Sequence, residues 1–250
     1  VMSFKMIIAV LFIFVICLFL VIFFFYNRYN NNYFSNRSIK SFKVPGGEIH
    51  GIDISHYCGQ VNFKKVKEQG FTFVFIRSTM GKNRTDNQFH YNRRKAQLEG
   101  LKWGCYHFFD FSDDGISQAK HLINNLHGHQ PDLPLVIDVE EEGFNTSTVI
   151  SVEQVKKEVT RCIDYLQSCG FKHIMVYSNE IGYRKYLRGH TNNYYLWIAS
   201  TKRYPNVDRH WTFQQYLLDE PLLGAQNKVD YNRFYGDINA WDAFLNEVAM

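Results

Sequence analysis

Two acidic residues at the end of one apolar run are the first candidates for chemistry in this chain. The run from Pro134 to Glu141 is rich in β-branched residues, which predicts a short buried strand with acids at its C-terminal end. Side chains of a strand alternate between faces, so Asp138 and Glu140 should point the same way, with Cα atoms roughly 6.6 Å apart. Unpaired carboxylates are costly to bury, which favours a cleft or partner groups. For an Asp-x-Glu pair taken alone, a surface or ion-paired strand end remains the alternative.

The elements that would position this pair alternate between strands and helices. Apolar runs predict strands at Ile49–Ile54, Phe71–Thr79, Leu101–Phe109, Leu135–Glu140, Ile174–Ser178, Tyr194–Ala199 and Trp211–Tyr216. Helical periodicity lies between them at Phe63–Gln69, Asn87–Glu99, Ile116–Leu126 and Val152–Ser168. This alternation implies parallel pairing, and seven or eight strands in about 200 residues fit a closed α/β barrel better than an open sheet.

Further polar and aromatic residues fall within the predicted strands, mostly near their C-terminal ends, where such barrels carry their chemistry, and one more acid falls in the final run Val229–Asn232. They are Asp53, Tyr106, His107, Tyr177, Trp197, Gln215, Tyr216 and Asp230. Each has a structural alternative, such as a turn cap for the acids or a core position for His107 and the aromatic residues. Their joint placement predicts a functional rim.

Composition argues against several other classes of protein. A formal net charge of +4, without a long basic run interleaved with aromatic residues, indicates no nucleic-acid partner. The five cysteines include no C-x-x-C pair, which argues against a zinc site or a disulfide framework. No metal or cofactor is expected. A metal-dependent hydrolase is the alternative, and its candidate ligands are His50, His56, His107 and the His127-Gly128-His129 turn.

The N-terminal segment is predicted to enter a membrane. From Met6 to Phe25 about twenty residues pass without a charge, which is enough for one membrane-spanning helix. No small-x-small cleavage pattern follows, which favours an uncleaved signal-anchor over a cleaved signal peptide. The expected organisation is a transmembrane signal-anchor at 1–26, a polar tether at 27–47 and a monomeric barrel at 48–250.

Seven ordered motifs resemble glycoside hydrolase family 25, the lysozymes or muramidases that cut the β-1,4 bond between N-acetylmuramic acid and N-acetylglucosamine in bacterial peptidoglycan. The motifs are Gly51-Ile52-Asp53-Ile54-Ser55, Gly104-Cys105-Tyr106-His107-Phe108, Asp138-Val139-Glu140, Val176-Tyr177-Ser178, Leu196-Trp197-Ile198-Ala199, Gln215-Tyr216 and Val229-Asp230-Tyr231-Asn232. The resemblance covers roughly residues 49–245 and implies an irregular (β/α) TIM-like barrel. It implies that Glu140 is the general acid, that Asp138 orients or stabilises the reacting sugar, and that Asp53 and Asp230 are the other acids of the groove.

The chain also departs from the family pattern. Tyr57-Cys58-Gly59 stands where Trp-Gln-Gly is usual, Asn62-Phe63 replaces an Asp-Trp pair, and Gln214 replaces the tryptophan before Gln-Tyr. These losses of indole are expected to weaken stacking at the groove walls. The alternative function is therefore a membrane-tethered peptidoglycan-binding or glycan-binding protein with a weakened catalytic site.

The location of the barrel is predicted from its substrate. Lys5 precedes the apolar segment, whereas Arg28, Arg37, Lys40 and Lys43 follow it, so flanking charge alone would keep the barrel in the cytoplasm. Peptidoglycan lies outside the cytosol, and a large domain can override this bias. We therefore expect a membrane-anchored barrel on the periplasmic or extracellular side, or a secreted one if the segment is cleaved.

Overall fold

The computed structural model describes residues 14–23, 42–143, 145 and 149–249. Contacts divide the chain into two compact units, Val1–Lys40 and Ser41–Met250. In the first unit residues 14–23 form a helix with exposed side chains. The rest of the predicted signal-anchor and most of the predicted tether lie outside the described residues. Among the residues that are described, no helix is both long and apolar enough to cross a membrane.

The second unit is built around a closed barrel of mixed pairing. Its strands are β1 (His50–Ile54), β2 (Phe73–Met80), β3 (Arg84–Thr85), β4 (Lys102–Phe108), β5 (Leu135–Asp138), β6 (Ile174–Asn179), β7 (Tyr195–Ala199), β8 (Phe213–Glu220) and β9 (Val229–Phe234). Their order is β1-β9-β8-β7-β6-β5-β4-β2-β3, and pairing of β1 with β2 closes eight of them into a ring. The short β3 forms a hairpin with β2.

The pairing of the last strand differs from the prediction of a parallel barrel. Strand β9 runs antiparallel to both β8 and β1. Only residues 221–228 join β8 to β9, which is too short for the crossover that a parallel pair needs, whereas the longer segment 200–212 joins the parallel strands β7 and β8. The start of β9, with Asp230, therefore lies at the same end of the barrel as the C-terminal ends of the other strands.

The α-helices surround the barrel, and the four that were predicted agree with their predicted bounds to within two residues. They are α1 (Phe63–Glu68), α2 (Phe89–Leu98), α3 (Gly115–Leu126), α4 (Val152–Ser168), the single turn α5 (Glu180–Gly182) and α6 (Ile238–Val248). The side chain of Ser151 caps α4 by accepting a hydrogen bond from the N–H of Gln154. Neither α5 nor α6 was predicted, although Asp237 provides an N-cap for α6.

Strand alternation creates two apolar cores. One fills the barrel interior with Phe73, Phe75, Trp197 and Phe213, and Trp241 of α6 packs against it. The other lies between the strands and the helices. The rings of Phe75 and Trp197 stack with centroids 4.5 Å apart, so side chains fill the middle of the barrel. The end that carries the predicted rim is open to a ligand.

The barrel unit begins before the predicted boundary at residue 48. The ring of Phe42 stacks on Phe71 with centroids 5.4 Å apart and meets the ring of Tyr231 edge-on at 5.0 Å. Its backbone N–H donates to Oε1 of Gln69 at 3.1 Å. Val44 also packs against the outer core. Residues 42–47 therefore belong to the folded unit. The signal in the sequence was the pair of apolar residues, Phe42 and Val44, within the otherwise polar segment.

Candidate active site

A groove of about 900 Å³ opens at the end of the barrel where the parallel strands finish. All four predicted acids line it, as do four of the predicted binding residues: Asp53, Asp138, Glu140, Asp230, Tyr106, Tyr177, Trp197 and Gln215. Asp138 and Glu140 thus share one space, as strand alternation predicts. The structure brings together acids that are up to 177 positions apart in the sequence.

Two amide side chains hold the acids of β1 and β9. Nε2 of Gln215 donates to Oδ2 of Asp53 at 2.8 Å and to Oδ2 of Asp230 at 3.1 Å. Nδ2 of Asn232 donates to the same Asp53 oxygen at 2.8 Å. Asp53 and Asp230 therefore have fixed positions before any ligand arrives.

Aromatic donors fix the orientation of those amides. The hydroxyl of Tyr177 donates to Oε1 of Gln215 at 2.8 Å, and Nε1 of Trp197 donates to Oδ1 of Asn232 at 2.8 Å. Because an indole N–H can only donate, the oxygen of Asn232 must face Trp197, and its NH₂ group must face Asp53. Trp197 acts from the floor of the groove, where it is only 2% exposed.

A buried asparagine positions the loop that carries Glu140. Nδ2 of Asn145 donates to the backbone carbonyls of Phe109 and Glu140, at 2.8 and 3.0 Å. Its Oδ1 accepts from the N–H of Phe111 at 3.0 Å. Glu140 lies two residues beyond Asp138, the last residue of β5, and these hydrogen bonds hold the backbone there. Asn145 was not singled out in the sequence, because nothing local distinguishes it from a loop asparagine.

Burial raises the pKa of every acid in the group. The pKa of Glu140 rises to about 8, first through loss of water and then through the nearby carboxylates of Glu142, Asp53 and Asp230. Burial raises the pKa of Asp138 well above its usual range, and Glu140 adds to this effect. The pKa values of Asp53 and Asp230 are also raised, mainly by burial. The four carboxyl groups cannot all be ionised together at neutral pH.

Arg77 is a cation in this acidic groove and was missed in the sequence. It lies in β2, lines the groove, and acts against the other influences by lowering the pKa of Asp138. Its Nε donates to Oδ2 of Asp86 at 3.2 Å, and its guanidinium lies 5.1 Å from the ring centre of Tyr57. The available signal was that Arg77 directly follows the apolar run Phe73-Val74-Phe75-Ile76 within one predicted strand. Such a charge is rarely buried without a partner.

Two predicted binding residues lie outside the groove. His107 is fully buried on the outer face of β4, between Oγ1 of Thr79 at 2.7 Å and Oε1 of Gln118 at 3.0 Å. Tyr216 meets Nδ1 of His50 through its hydroxyl at 2.8 Å. Each directly follows a groove residue on its strand, and consecutive strand residues face opposite sides. Neither lines the groove.

The departures from the family motifs have different structural consequences. Tyr57 lines the groove and is 69% exposed, so an aromatic face remains available there. Gln214 is fully buried and does not line the groove; its Nε2 donates to the backbone carbonyls of Ser200 and Lys202. Phe63 is also buried and does not line the groove. The expectation that all three replacements weaken the groove walls is therefore wrong for Phe63 and for Gln214, which lies on the opposite face of β8 from Gln215.

The histidines proposed as metal ligands are held in separate hydrogen-bond networks. His50 contacts Glu48 and Tyr216, His56 contacts Asp86, and His107 contacts Thr79 and Gln118. Across the part of the chain that the structure describes, no group of three or more His, Cys, Asp or Glu residues could hold a metal ion.

Comparison with known proteins agrees with this barrel and groove. Residues 52–224 match the profile of glycosyl hydrolases family 25. The autolytic lysozyme of Clostridium acetobutylicum is 31% identical over 187 residues, which cover 74% of this chain and 56% of that protein. Lysozyme M1 of Streptomyces globisporus is 27% identical over 213 residues, covering 80% and 72%. A family 25 glycosyl hydrolase structure from Bacillus anthracis superposes with a TM-score of 0.74 at 28% identity, covering 84% of this chain and 99% of that one.

The profile match spans more than half of the chain, and the barrel has the fold of a solved member of the family. This chain therefore belongs to glycosyl hydrolase family 25 and is a glycoside hydrolase.

Proposed function

We propose that this protein is a lysozyme, an N-acetylmuramidase that hydrolyses the β-1,4 bond between N-acetylmuramic acid and N-acetylglucosamine in bacterial peptidoglycan. The observation that carries the proposal is the convergence of four carboxyl groups in one groove at the open end of the barrel. Two relatives bear the name lysozyme, which supports this substrate. Glycoside hydrolysis requires one carboxyl group that donates a proton and another that remains charged.

Glu140 is the proposed general acid. Its pKa of about 8 keeps it protonated at neutral pH, so it can deliver a proton to the leaving glycosidic oxygen. The backbone contact with Asn145 holds its position at the end of β5. After the bond breaks, the Glu140 carboxylate can take a proton from the incoming water.

Asp138 is the proposed charged partner. Burial raises the pKa of Asp138 and Arg77 opposes this by favouring the ionised form, while proton loss from both Asp138 and Glu140 would place two charges side by side. Oδ1 of Asp138 is buried and has no hydrogen-bond partner among the described residues. A buried acceptor without a donor is suited to the N–H of the sugar's 2-acetamido group, although direct action on the anomeric carbon uses the same oxygen.

Asp53 and Asp230 have a supporting role in this proposal. Their oxygens already accept hydrogen bonds from Gln215, which ties them to the floor of the groove. Both raise the pKa of Glu140, so they help to keep the acid protonated. Tyr57 supplies an exposed ring on which a sugar can stack.

Glycan binding without turnover is the second candidate function. Its basis was the loss of three indoles from the groove, but Tyr57 retains an aromatic face, and Phe63 and Gln214 are buried and do not line the groove. The four acids are present together, which favours the enzyme.

Substitution of the two central acids tests the proposal. Glu140→Gln should abolish release of reducing ends from peptidoglycan, and Asp138→Asn should lower turnover by a factor on the order of 100 or more. Glu141→Gln is the matched control, because Glu141 points to Lys185 and Tyr186. Near-normal turnover by Glu140→Gln would refute the mechanism. Loss of activity in a strong chelator would favour a metal-dependent hydrolase instead.

We also propose that residues 1–26 anchor the protein in a membrane, with the barrel on the non-cytoplasmic side. The uncharged run from Met6 to Phe25 supports the anchor, and the location of peptidoglycan supports the orientation. Protease treatment of right-side-out membranes tests both points. A barrel that is digested only after lysis contradicts the orientation, and one that is released by a salt wash contradicts the anchor.

A further inference from the structure

A second pocket, of about 440 Å³, lies at the end of the barrel opposite the groove, where β8 begins and β9 ends. Three arginines and three flat aromatic residues contribute to its lining: Arg203, Arg209, Arg233, Tyr204, Trp211 and Tyr235. None of them lines the groove. The assigned reaction therefore leaves this group of side chains without a role.

The charge of the pocket is strongly positive. Glu48 is the one acid in its lining, and its carboxylate already contacts Nε2 of His50 at 2.7 Å. The guanidinium of Arg203 lies 5.5 Å from the ring centre of Tyr204 and is exposed to solvent. An anion that enters this pocket would meet several N–H donors and little negative charge.

The loop that forms one wall is held before any ligand binds. An NH2 group of Arg233 donates to the backbone carbonyl of Arg203 at 2.8 Å and to Oε1 of Gln214 at 2.7 Å. Gln214 in turn holds the carbonyls of Ser200 and Lys202. Arg209 donates to two backbone carbonyls of the preceding loop. Such preorganisation reduces the entropic cost of binding.

The pocket presents aromatic ring faces as well as positive charge. Tyr204 is 75% exposed and Tyr235 is 54% exposed, and the ring of Tyr235 meets that of Trp211 edge-on at 4.6 Å. Exposed rings beside guanidinium groups suit a ligand that is itself a ring with an attached negative charge. A pocket of this size takes one or two sugar rings.

We propose that this pocket binds an anionic sugar, a pyranose ring that bears a carboxylate or a phosphate. The proposal rests on the proposed function for the source of the ligand, because polymeric peptidoglycan is a glycan with many carboxylates. A site at the opposite end from the groove would hold a neighbouring glycan strand while the groove cuts another. It would thus increase activity on the insoluble polymer and not on short soluble chains.

Three sugars with the same ring form the binding test: N-acetylmuramic acid, N-acetylglucosamine 1-phosphate and neutral N-acetylglucosamine. The indole N–H signal of Trp211 in NMR spectra, assigned with Trp211→Phe, reports on this pocket, whereas the signal of Trp197 reports on the groove. We expect both anionic sugars to shift the Trp211 signal with an affinity at least about tenfold above that of the neutral sugar. The stronger of the two identifies carboxylate or phosphate as the natural group.

A matched pair of double variants separates the pocket from general surface charge. Arg203→Ala/Tyr204→Ala removes an exposed arginine and tyrosine from the pocket, and Arg94→Ala/Tyr91→Ala removes the same two types from α2. The first should lose the Trp211 response and cut turnover of insoluble peptidoglycan by about threefold to tenfold, with turnover of short soluble chains unchanged. The second should behave as wild type.

Three results would overturn the inference. They are a Trp211 response equal for charged and neutral sugars, equal losses in both double variants, and binding of a short single-stranded oligonucleotide in preference to the anionic sugars. The Trp197 signal and the unfolding midpoint show whether each variant is folded. If wild type binds anionic sugars here but releases no reducing ends, the proposed function fails while this site stands. If the wild type releases reducing ends but shows no Trp211 response, the second site fails while the proposed function stands.

Discussion

Replacing Glu142 with glutamine removes one negative charge from the groove without altering the four acids assigned to the reaction. Glu142 lines the groove, is exposed, and is the strongest charge influence on the pKa of Glu140. Its removal favours ionisation of Glu140, so the folded-state pKa of that acid should fall below about 8. A general acid acts in its protonated form, and the alkaline limb of the pH–activity profile should therefore move to lower pH.

The size of the shift follows from Coulomb's law. Two unit charges about 8 Å apart interact by roughly 2 kcal/mol at an effective dielectric constant of about 20, which corresponds to about 1.5 pKa units. Solvent screens the exposed side chain of Glu142, so we expect a shift of about 0.5 to 1 unit. At pH values above the limb this lowers kcat/KM by about threefold to tenfold. Glu142 also raises the pKa of Asp138, so the acidic limb should move in the same direction.

The measurement is kcat/KM for release of reducing ends from a soluble peptidoglycan fragment between pH 4 and pH 10. Glu141→Gln is the control, because it makes the same change one residue away, where the carboxylate contacts Lys185 and Tyr186 instead of the groove. High salt should shift the wild-type profile towards that of Glu142→Gln and change the variant less. An unshifted profile for Glu142→Gln, or equal shifts in both variants, would refute the electrostatic account of Glu140.

Three further predictions concern stability. The raised pKa of Glu140 makes its contribution to stability greatest at low pH and lost as pH rises through about 8, so Glu140→Gln should raise the thermal midpoint more at pH 9 than at pH 5. A chain that starts at residue 48 should be less stable to urea than one that starts at residue 41, by about 1–3 kcal/mol, because it lacks Phe42 and Val44. His107→Ala should cost about 2–3 kcal/mol of stability in urea unfolding and leave kcat/KM unchanged, since His107 is buried outside the groove.

Elements with a strong local pattern could be predicted from the sequence. Helix α4 was predicted with its observed bounds, Val152–Ser168, because it combines a serine cap with an apolar stripe. The direction of β9 was not predictable in this way. Pairing is decided by how the chain returns to the sheet, and neither the β7–β8 connection nor the β8–β9 connection contains a helix, although the first pair is parallel and the second antiparallel. The strands were found more reliably than their directions.

The errors in the candidate site come from adjacent residues. Period-two alternation was applied to Asp138 and Glu140 and gave the right placement. It was not applied to Tyr106 and His107, or to Gln215 and Tyr216, where one member of each pair must face outwards. The same rule places Gln214 outside the groove, where it holds the wall of the second pocket.

The residues missed in the groove act through contacts distant in sequence. Asn232 meets Asp53 across 179 positions, and Arg77 reaches the acids only because β2 lies between β1 and β4 in the closed ring. Side-chain N–H donors such as these lower the cost of burying several acids, because each hydrogen bond offsets part of the lost hydration. The charge repulsion that remains between the carboxylates keeps a proton on one acid. A muramidase needs that remaining repulsion, since full pairing of Glu140 with a cation would ionise it and remove the general acid. The contact of Arg77 with Asp86, and its influence on Asp138 and not on Glu140, is the arrangement that this requirement predicts.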